Sequence, residues 1–115
     1  MAFVEVSQAQ GRIPVTVFQL QDRLNLGNYT ELEQTAREAF DKGMRNLVID
    51  LSHTPSVTSI GIRSLVVIQK MLSTDGSGRL KLASVAQSIR EMFDIAGITS
   101  LIEIYDSVDE AVTSF

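Results

Sequence analysis

Small hydroxyl side chains are concentrated in one short segment, where they could accept phosphate, bind an anion or cap a helix. The segment follows the apolar run Leu47 to Leu51 and contains Ser52, Thr54, Ser56, Thr58 and Ser59. Pro55 ends the apolar run as a strand, because proline cannot donate a hydrogen bond to a neighbouring strand. We expect Ser59 to cap the helix that follows, with its hydroxyl accepting from a backbone N–H one turn ahead. A helix start of this kind can also stabilise a phosphate or carboxylate.

Recognisable catalytic groups are sparse. His53 is the only histidine, and a lone histidine in a loop is more often a surface residue than a general base. No G-x-S-x-G motif supplies the nucleophile of a serine hydrolase, and residues 74–78, TDGSG, are typical of a turn. Asp22 and Asp50 could act as an acid and a base, but turn and strand-end positions explain them more simply. We expect no catalytic residue, no metal site and no cofactor.

Apolar periodicity predicts alternating strands and helices. The strands are expected near residues 3–6, 13–20, 47–51, 80–83 and 101–105, and the helices near 29–40, 60–72, 85–96 and 108–115. Asn28 or Thr30 is expected to cap the first helix, and Gly43 and Gly97 stand where helices should end. The order predicts an α/β fold in one domain over residues 1–115. Its mixed β-sheet would have about five strands, with about four α-helices packed against it.

Charge and composition narrow the class of partner. The net charge is −4, and no Lys or Arg occurs after Arg90. Such a surface repels a phosphate backbone, so we expect no binding to nucleic acid. No apolar run approaches the ~20 residues that span a bilayer, and the first ten residues have no signal-peptide pattern. The chain has no cysteine, which fits a cytoplasmic protein without disulfides and without association with a membrane.

The hydroxyl-rich segment resembles the signature of STAS domains, the family of bacterial anti-sigma factor antagonists. The resemblance is carried by residues 50–52, DLS, and by residues 57–65, VTSIGIRSL. Residues 20–25, LQDRLN, resemble the family's strand-to-helix segment L-x-G-x-L-D, and residues 96–98 and 108–112 also stand where the family has similar residues. The resemblance implies a small sheet with helices packed against it, which agrees with the order of elements predicted above.

The chain also departs from the family pattern. In members switched by phosphorylation the loop reads D-S-[ST]-G-L, and the hydroxyl just before the glycine receives phosphate from a partner kinase. Ile60 occupies that position here and cannot be phosphorylated. Thr58 replaces the aspartate of this loop, while Asp22 and Asn25 replace the glycine and the aspartate of L-x-G-x-L-D. The arrangement S-x-G-[IL]-R resembles a subset of STAS proteins without the standard site, in which Ser59 and Thr58 are the nearest substitute acceptors.

A helix beginning at Ile60 would divide its residues between two faces. Toward the core it would direct Ile62, Leu65, Val66 and Leu72, with Gly61 and Ile68 at the margin. We expect Gly61 to let a neighbouring element approach the first turn closely. The other face would carry Ile60, Arg63, Ser64, Val67 and Lys70. An apolar centre with a polar rim is typical of an interface. The alternative is that Ile60 and Val67 lie under loops or are singly exposed, and the family resemblance favours the interface.

We therefore expect a STAS-like interaction module without enzymatic activity. The resemblance implies that it binds an anti-sigma factor, often a kinase-like ATPase, and so releases a sigma factor for transcription. The residues expected to bind the partner are Asn25, Thr58, Ser59, Ile60, Arg63, Ser64 and Val67. Two alternatives stay open: a scaffold or sensor subunit of a signalling assembly, and a domain that binds a nucleotide or small anion through the hydroxyl loop. The sequence leaves the oligomeric state open.

Overall fold

The computed structural model describes residues 2–115. The strands are β1 (Val4–Gln10), β2 (Pro14–Leu20), β3 (Asn46–Asp50), β4 (Arg79–Ala83) and β5 (Glu103–Tyr105). The α-helices are α1 (Tyr29–Asp41), α2 (Ser59–Ser73), α3 (Gln87–Ala96) and α4 (Val108–Thr113), and a 3₁₀ helix covers Ile98–Ser100. Within this described range, no helix combines the length and the apolar character needed to cross a membrane.

The strands form one sheet in chain order, from β1 at one edge to β5 at the other. β1 and β2 pair antiparallel as a hairpin, while β2, β3, β4 and β5 run parallel. Each parallel pair is joined through a helix, as parallel strands require a crossover connection. The predicted fold class, a mixed sheet of five strands with four α-helices, is confirmed.

The two faces of the sheet bury separate apolar clusters. Phe18 and Leu20 of β2 lie in the larger cluster, under α1, α2 and α3. Val15 and Val17 of the same strand lie in the smaller cluster, with Ala111 of α4. This alternation follows from the period of two along a strand. Because helices cover both faces, the central strand β3 is buried at nearly every position, and its three middle residues are apolar.

Several boundaries differ from the predicted ones. β1 continues through residues 7–10, which are polar apart from Ala9, because an edge strand needs a partner on one side only. α3 begins at Gln87, which leaves Val85 in the preceding loop. β5 begins at Glu103, because a 3₁₀ helix occupies residues 98–100. The predicted helix ends are confirmed: Gly43 and Gly97 follow α1 and α3 with positive φ angles of 109° and 80°.

Candidate functional site

Two loops meet at the carboxyl ends of β2 and β3. Leu24, in the loop after β2, forms a parallel bridge with Val57, in the loop after β3. The backbone N–H of Leu24 donates to the carbonyl of Ser56 at 3.1 Å, and that of Thr58 donates to the carbonyl of Leu24 at 3.0 Å. Open α/β sheets commonly place their binding sites at the carboxyl ends of parallel strands. The bridge therefore joins residues 21–28 and the hydroxyl-rich loop into one surface.

Asn25 and Asn28 fix the shape of the first loop. The Asn25 side-chain oxygen accepts from the N–H of Gly27 at 2.9 Å. The Asn28 side chain accepts from the N–H of Asn25 at 2.9 Å and donates to the carbonyl of Arg23 at 2.6 Å. Asn28 is thus the N-cap residue of α1 by position, but its side chain makes no capping bond to the helix. The prediction that Asn28 or Thr30 caps α1 through its side chain is wrong, because Asn28 binds the loop instead.

The start of α2 also differs from the prediction. Thr58 is the N-cap residue, with extended backbone angles, and Ser59 is the first helical residue. No side chain makes a capping bond at this helix start, so the prediction that Ser59 caps the helix is wrong. The Thr58 hydroxyl lies 3.5 Å from the carbonyl of Leu24, which draws it toward the first loop. The Ser59 side chain is exposed at the beginning of the helix.

Gly61 allows the two loops to pack closely against α2. A Cβ atom added at Gly61 would lie 2.8 Å from Leu24 Cγ and 3.0 Å from Val57 Cγ1. Contacts this short require the backbone or the core to move. The expectation that Gly61 permits the close approach of a neighbouring element is therefore confirmed.

Ser64 does not belong to the exposed face of α2. Its side chain is fully buried, and its hydroxyl donates to the carboxylate of Glu33 on α1 at 2.5 Å. The carbonyl of Tyr29 lies 3.5 Å from the same hydroxyl. Ser64 therefore joins α1 to α2 and cannot contact a partner. Placing it among the partner-facing residues is wrong, because α1 covers this side of the helix.

Fewer residues of α2 are exposed than the sequence predicted. Arg63 and Lys70 are exposed, and Val67 is 39% exposed, whereas Ile60 is half-buried. Ile68, expected at the margin, is buried, and Ile62 and Val66, expected in the core, are partly buried. Val67 also lines a groove of about 320 Å³ between α1 and α2, together with Thr30, Arg37 and Met71.

One apolar residue at this surface was not identified from the sequence. Leu26 follows Asn25 in the first loop, and its side chain is 74% exposed. A single leucine in a turn gives little signal, because exposed apolar residues are common on protein surfaces. Leu26 lies in the same loop as Leu24, whose backbone bonds to Ser56 and Thr58. Leu26 and Val67 together provide exposed apolar surface at the loops and along α2.

The hydroxyl-rich loop does not direct all of its hydroxyls outward. Ser52, Ser56, Thr58 and Ser59 are exposed, but Thr54 is 2% exposed. The Thr54 hydroxyl is buried and has no hydrogen-bond partner among residues 2–115. Because this hydroxyl is inaccessible to solvent, it cannot contribute to an open anion site without rearrangement of the loop.

The candidate acid and base residues have structural partners. Asp50 ends β3 as predicted and is 5% exposed; its carboxylate accepts from the side chain of Gln19 at 3.0 Å and from the N–H of Ser52 at 2.9 Å.

Asp22 is exposed and accepts from the N–H of Arg23 at 2.7 Å. His53 is exposed, with Nδ1 3.5 Å from the side-chain oxygen of Gln21. In the part of the chain that the structure describes, no group of three or more acidic or histidine side chains could hold a metal ion.

The structure thus brings most of the sequence-predicted residues to one surface. Asn25 and Thr58 meet through the bridged loops, and Ser59, Ile60, Arg63 and Val67 extend from them along α2. Ser64 alone lies beneath this surface. We call the residues of this set other than Ser64, together with Leu26, the loop–α2 surface; its members are Asn25, Leu26, Thr58, Ser59, Ile60, Arg63 and Val67, of which Asn25 and Ile60 are partly buried.

Comparison with known proteins identifies relatives over nearly the whole chain. The family model for the STAS domain matches residues 6–111. A Bordetella bronchiseptica protein, designated an anti-sigma factor antagonist and named BtrV, is 31% identical over 96 residues, which is 84% of this chain and 82% of that protein.

Solved structures share the same fold at lower sequence identity. A Thermotoga maritima protein, also designated an anti-sigma factor antagonist, superposes with a TM-score of 0.87 at 20% identity, over 96% of this chain and 92% of that one. An anti-sigma factor antagonist from Mycobacterium paratuberculosis gives a TM-score of 0.84 at 21% identity, over 96% and 91% of the two chains.

Proposed function

The chain belongs to the STAS domain family, and from this premise we propose that it binds an anti-sigma factor through the loop–α2 surface. The observation that carries the proposal is the bridge between Leu24 and Val57, which joins two loops beside the exposed start of α2. Leu26 in the first loop and Val67 further along α2 supply exposed apolar area, and Asn25, Thr58 and Arg63 supply polar groups. An apolar centre with a polar rim is the usual build of a protein interface.

The proposed mechanism is competitive binding without a chemical step. The anti-sigma factor, which we take to be a kinase-like ATPase, would release its sigma factor when it binds this chain in the cytoplasm. Hydrogen bonds within and between the two loops hold them in one conformation. A surface that is already ordered loses little conformational entropy on binding, and this favours affinity.

Phosphorylation would not switch this interaction at the usual position. Ile60 stands there and has no acceptor atom. We predict that incubation with the kinase-like partner and ATP leaves the chain unmodified, as measured by the intact mass. Ser59 is the alternative acceptor to inspect, because its side chain is exposed and makes no capping bond. Stoichiometric phosphate on Ser59 or Thr58 would contradict constitutive binding and indicate a displaced switch.

Charge placed on the two exposed apolar residues tests the interface. Leu26→Asp and Val67→Asp should each weaken binding to the purified anti-sigma factor by at least ~2 kcal/mol, because an unpaired carboxylate would lose its hydration in the complex. Isothermal titration calorimetry measures the affinity. Both side chains are exposed, so the free energy of unfolding should change by no more than about 0.5 kcal/mol. Ile60→Asp is a less clean test, since Ile60 is half-buried.

Ile95→Asp provides the matched control. Ile95 lies on α3 and is 89% exposed, so this variant adds the same charge to a different surface. It should bind the anti-sigma factor as the unmodified chain does. Normal binding by both Leu26→Asp and Val67→Asp would place the interface elsewhere, and an equal loss in Ile95→Asp would attribute the effect to net charge.

A further inference from the structure

The outer side of β1 is an open sheet edge. In residues 2–115, β1 pairs only with β2. Two hydrogen bonds just beyond the ends of the β1–β2 ladder show which residues pair. The N–H of Gln21 donates to the carbonyl of Phe3 at 2.8 Å, and the N–H of Gly11 donates to the carbonyl of Ile13 at 3.2 Å. Hydrogen-bonded pairs alternate along an antiparallel ladder, so the odd-numbered residues of β1 bond to β2. The even-numbered residues, Val4, Val6, Gln8 and Gln10, therefore direct their backbone N–H and C=O groups outward.

This edge carries little that would prevent another strand from pairing with it. Natural edge strands are commonly guarded by lysine, proline or a β-bulge. β1 reads VEVSQAQ, with Glu5 as its single charged residue and without lysine or proline. Its pairing with β2 is unbroken from Val4 opposite Leu20 to Gln10 opposite Pro14, so no bulge interrupts it. Val6, near the middle of the strand, is 52% exposed.

A groove lies beside the edge on the side covered by α1. Its volume is about 650 Å³. Val6, Pro14, Ala39 and Met44 provide its apolar lining, and Gln8 is among its polar residues. A strand added to β1 would direct alternate side chains toward this groove, as occurs when an extended segment joins a sheet edge.

We propose that β1 pairs antiparallel with β1 of a second copy of this chain. A second β1 fits this edge in hydrogen bonding and in charge: it presents the same outward backbone groups at its even-numbered residues, and Glu5 is the only charge on each strand. In a two-fold pairing centred on Val6, Glu5 faces Ser7 of the other copy, and in one centred on Ser7, it faces Ala9. Neither alignment opposes like charges, which would be destabilising. In a dimer related by a two-fold axis, every favourable contact away from the axis occurs twice.

The expected complex is a weak dimer. Two five-stranded sheets would become one continuous sheet, with residues 4–8 of each strand opposed in the alignment centred on Val6 and all seven residues, 4–10, in the one centred on Ser7. The surface area buried by such a contact falls at or below the ~1,200 Å² at which specific, stable interfaces begin. Association should therefore depend on protein concentration.

Sedimentation equilibrium of the whole chain, from micromolar to millimolar concentration, tests the proposal. We expect a monomer–dimer equilibrium, which Val6→Lys should weaken at least about tenfold, or ~1.4 kcal/mol, since lysine on an edge strand opposes pairing. Ile95→Lys adds the same charge on α3 and should leave the equilibrium unchanged. A wild-type chain that stays monomeric throughout would overturn the proposal. A dimer insensitive to Val6→Lys, or equally weakened by Ile95→Lys, would also overturn it.

Site-directed crosslinking gives a second readout that does not depend on the lysine variant. The chain has no cysteine, so a single introduced thiol can form only an intermolecular disulfide. Val6→Cys or Ser7→Cys, whichever lies at the two-fold axis, should crosslink rapidly, because opposed residues of antiparallel strands have Cα atoms about 4.5–5.5 Å apart. Thr99→Cys, beyond α3, is the control. If neither β1 thiol crosslinks faster than this control, the edges do not pair.

Discussion

The hydroxyl of Ser59 can be tested for a contribution to the stability of α2. It is the first residue of α2 and makes no capping bond, so Ser59→Ala removes no capping hydrogen bond from the folded chain. We expect the free energy of unfolding, measured by urea denaturation, to change by no more than about 0.5 kcal/mol.

Ser107 offers the matched positive control for this experiment. It is the N-cap residue of α4, and its hydroxyl accepts from the N–H of Glu110 at 3.1 Å. Ser107→Ala should cost about 0.5–2 kcal/mol, the usual range for a lost cap. A comparable loss in Ser59→Ala would show that the Ser59 hydroxyl caps α2 in solution.

At this scale the sequence predicted some contacts and missed others. The close approach at Gly61 was predictable, because a glycine at a helix start has few other uses. The burial of Ser64 was not, since its acceptor is Glu33, 31 residues away on another helix. Periodicity locates an apolar stripe, but a small hydroxyl can lie inside that stripe whenever a neighbouring helix supplies an acceptor. The exposure of Leu26 likewise depends on the fold of a loop.

Among the elements, β5 is short and is supported by side-chain interactions. It has three residues, and Glu103 lies beside Lys81 Nζ at 3.6 Å and Arg79 Nη1 at 3.5 Å. The Tyr105 hydroxyl donates to the Glu103 carboxylate. This hydrogen bond, followed by the two cations, holds the pKa of Glu103 below its ordinary value, although burial acts in the opposite direction. The same hydrogen bond raises the pKa of Tyr105.

The direction of this pKa shift predicts acid sensitivity. Because the folded state favours the Glu103 carboxylate, its contribution to stability is present above the ordinary glutamate pKa of 4.5 and is lost as the pH falls through the lower folded value. Glu103→Gln should therefore be less stable than the unmodified chain at neutral pH, and the difference should shrink in acid. Urea denaturation at several pH values measures this difference. A stability difference between Glu103→Gln and the unmodified chain that stays constant across these pH values would contradict the prediction.

The sequence predicted the bounds of some strands well and those of others poorly. β3 and β4 are short, largely apolar and buried on both faces, so their sequences identify them. The second half of β1 was missed because residues 7–10 lie at an edge, where pairing with β2 requires no apolar side chain. Leu101 and Ile102 suggested an earlier start for β5, but the chain reaches that strand through a 3₁₀ helix. Ile102 precedes β5, and its side chain is buried in the larger apolar cluster.

For the whole molecule, the order of strands determines how its surfaces are arranged. The sequence predicted a mixed sheet with helices but did not determine that the strands lie in chain order or that, within residues 2–115, α4 is the one helix packed on the smaller cluster. This arrangement leaves β1 at an edge and α1 beside it. One flank of α1 lines the groove at β1 through Thr35 and Ala39, and another lines the groove at Val67 through Thr30 and Arg37. The proposed dimer edge and the loop–α2 surface therefore lie on different sides of α1.

This separation predicts that the two proposed interactions are independent. An α-helix with its side chains is about 10 Å across, and substitutions more than about 7–10 Å apart without shared partners usually add within ~0.5 kcal/mol. Val6→Lys should therefore weaken self-association and leave the affinity for the anti-sigma factor unchanged. Val67→Asp should weaken anti-sigma binding and leave self-association unchanged, and the double variant should show both losses at their single-variant sizes. Sedimentation and calorimetry on the same four proteins measure all of these quantities. A clear change in anti-sigma affinity caused by Val6→Lys would mean that α1 transmits a change between the surfaces, or that only the dimer binds the partner.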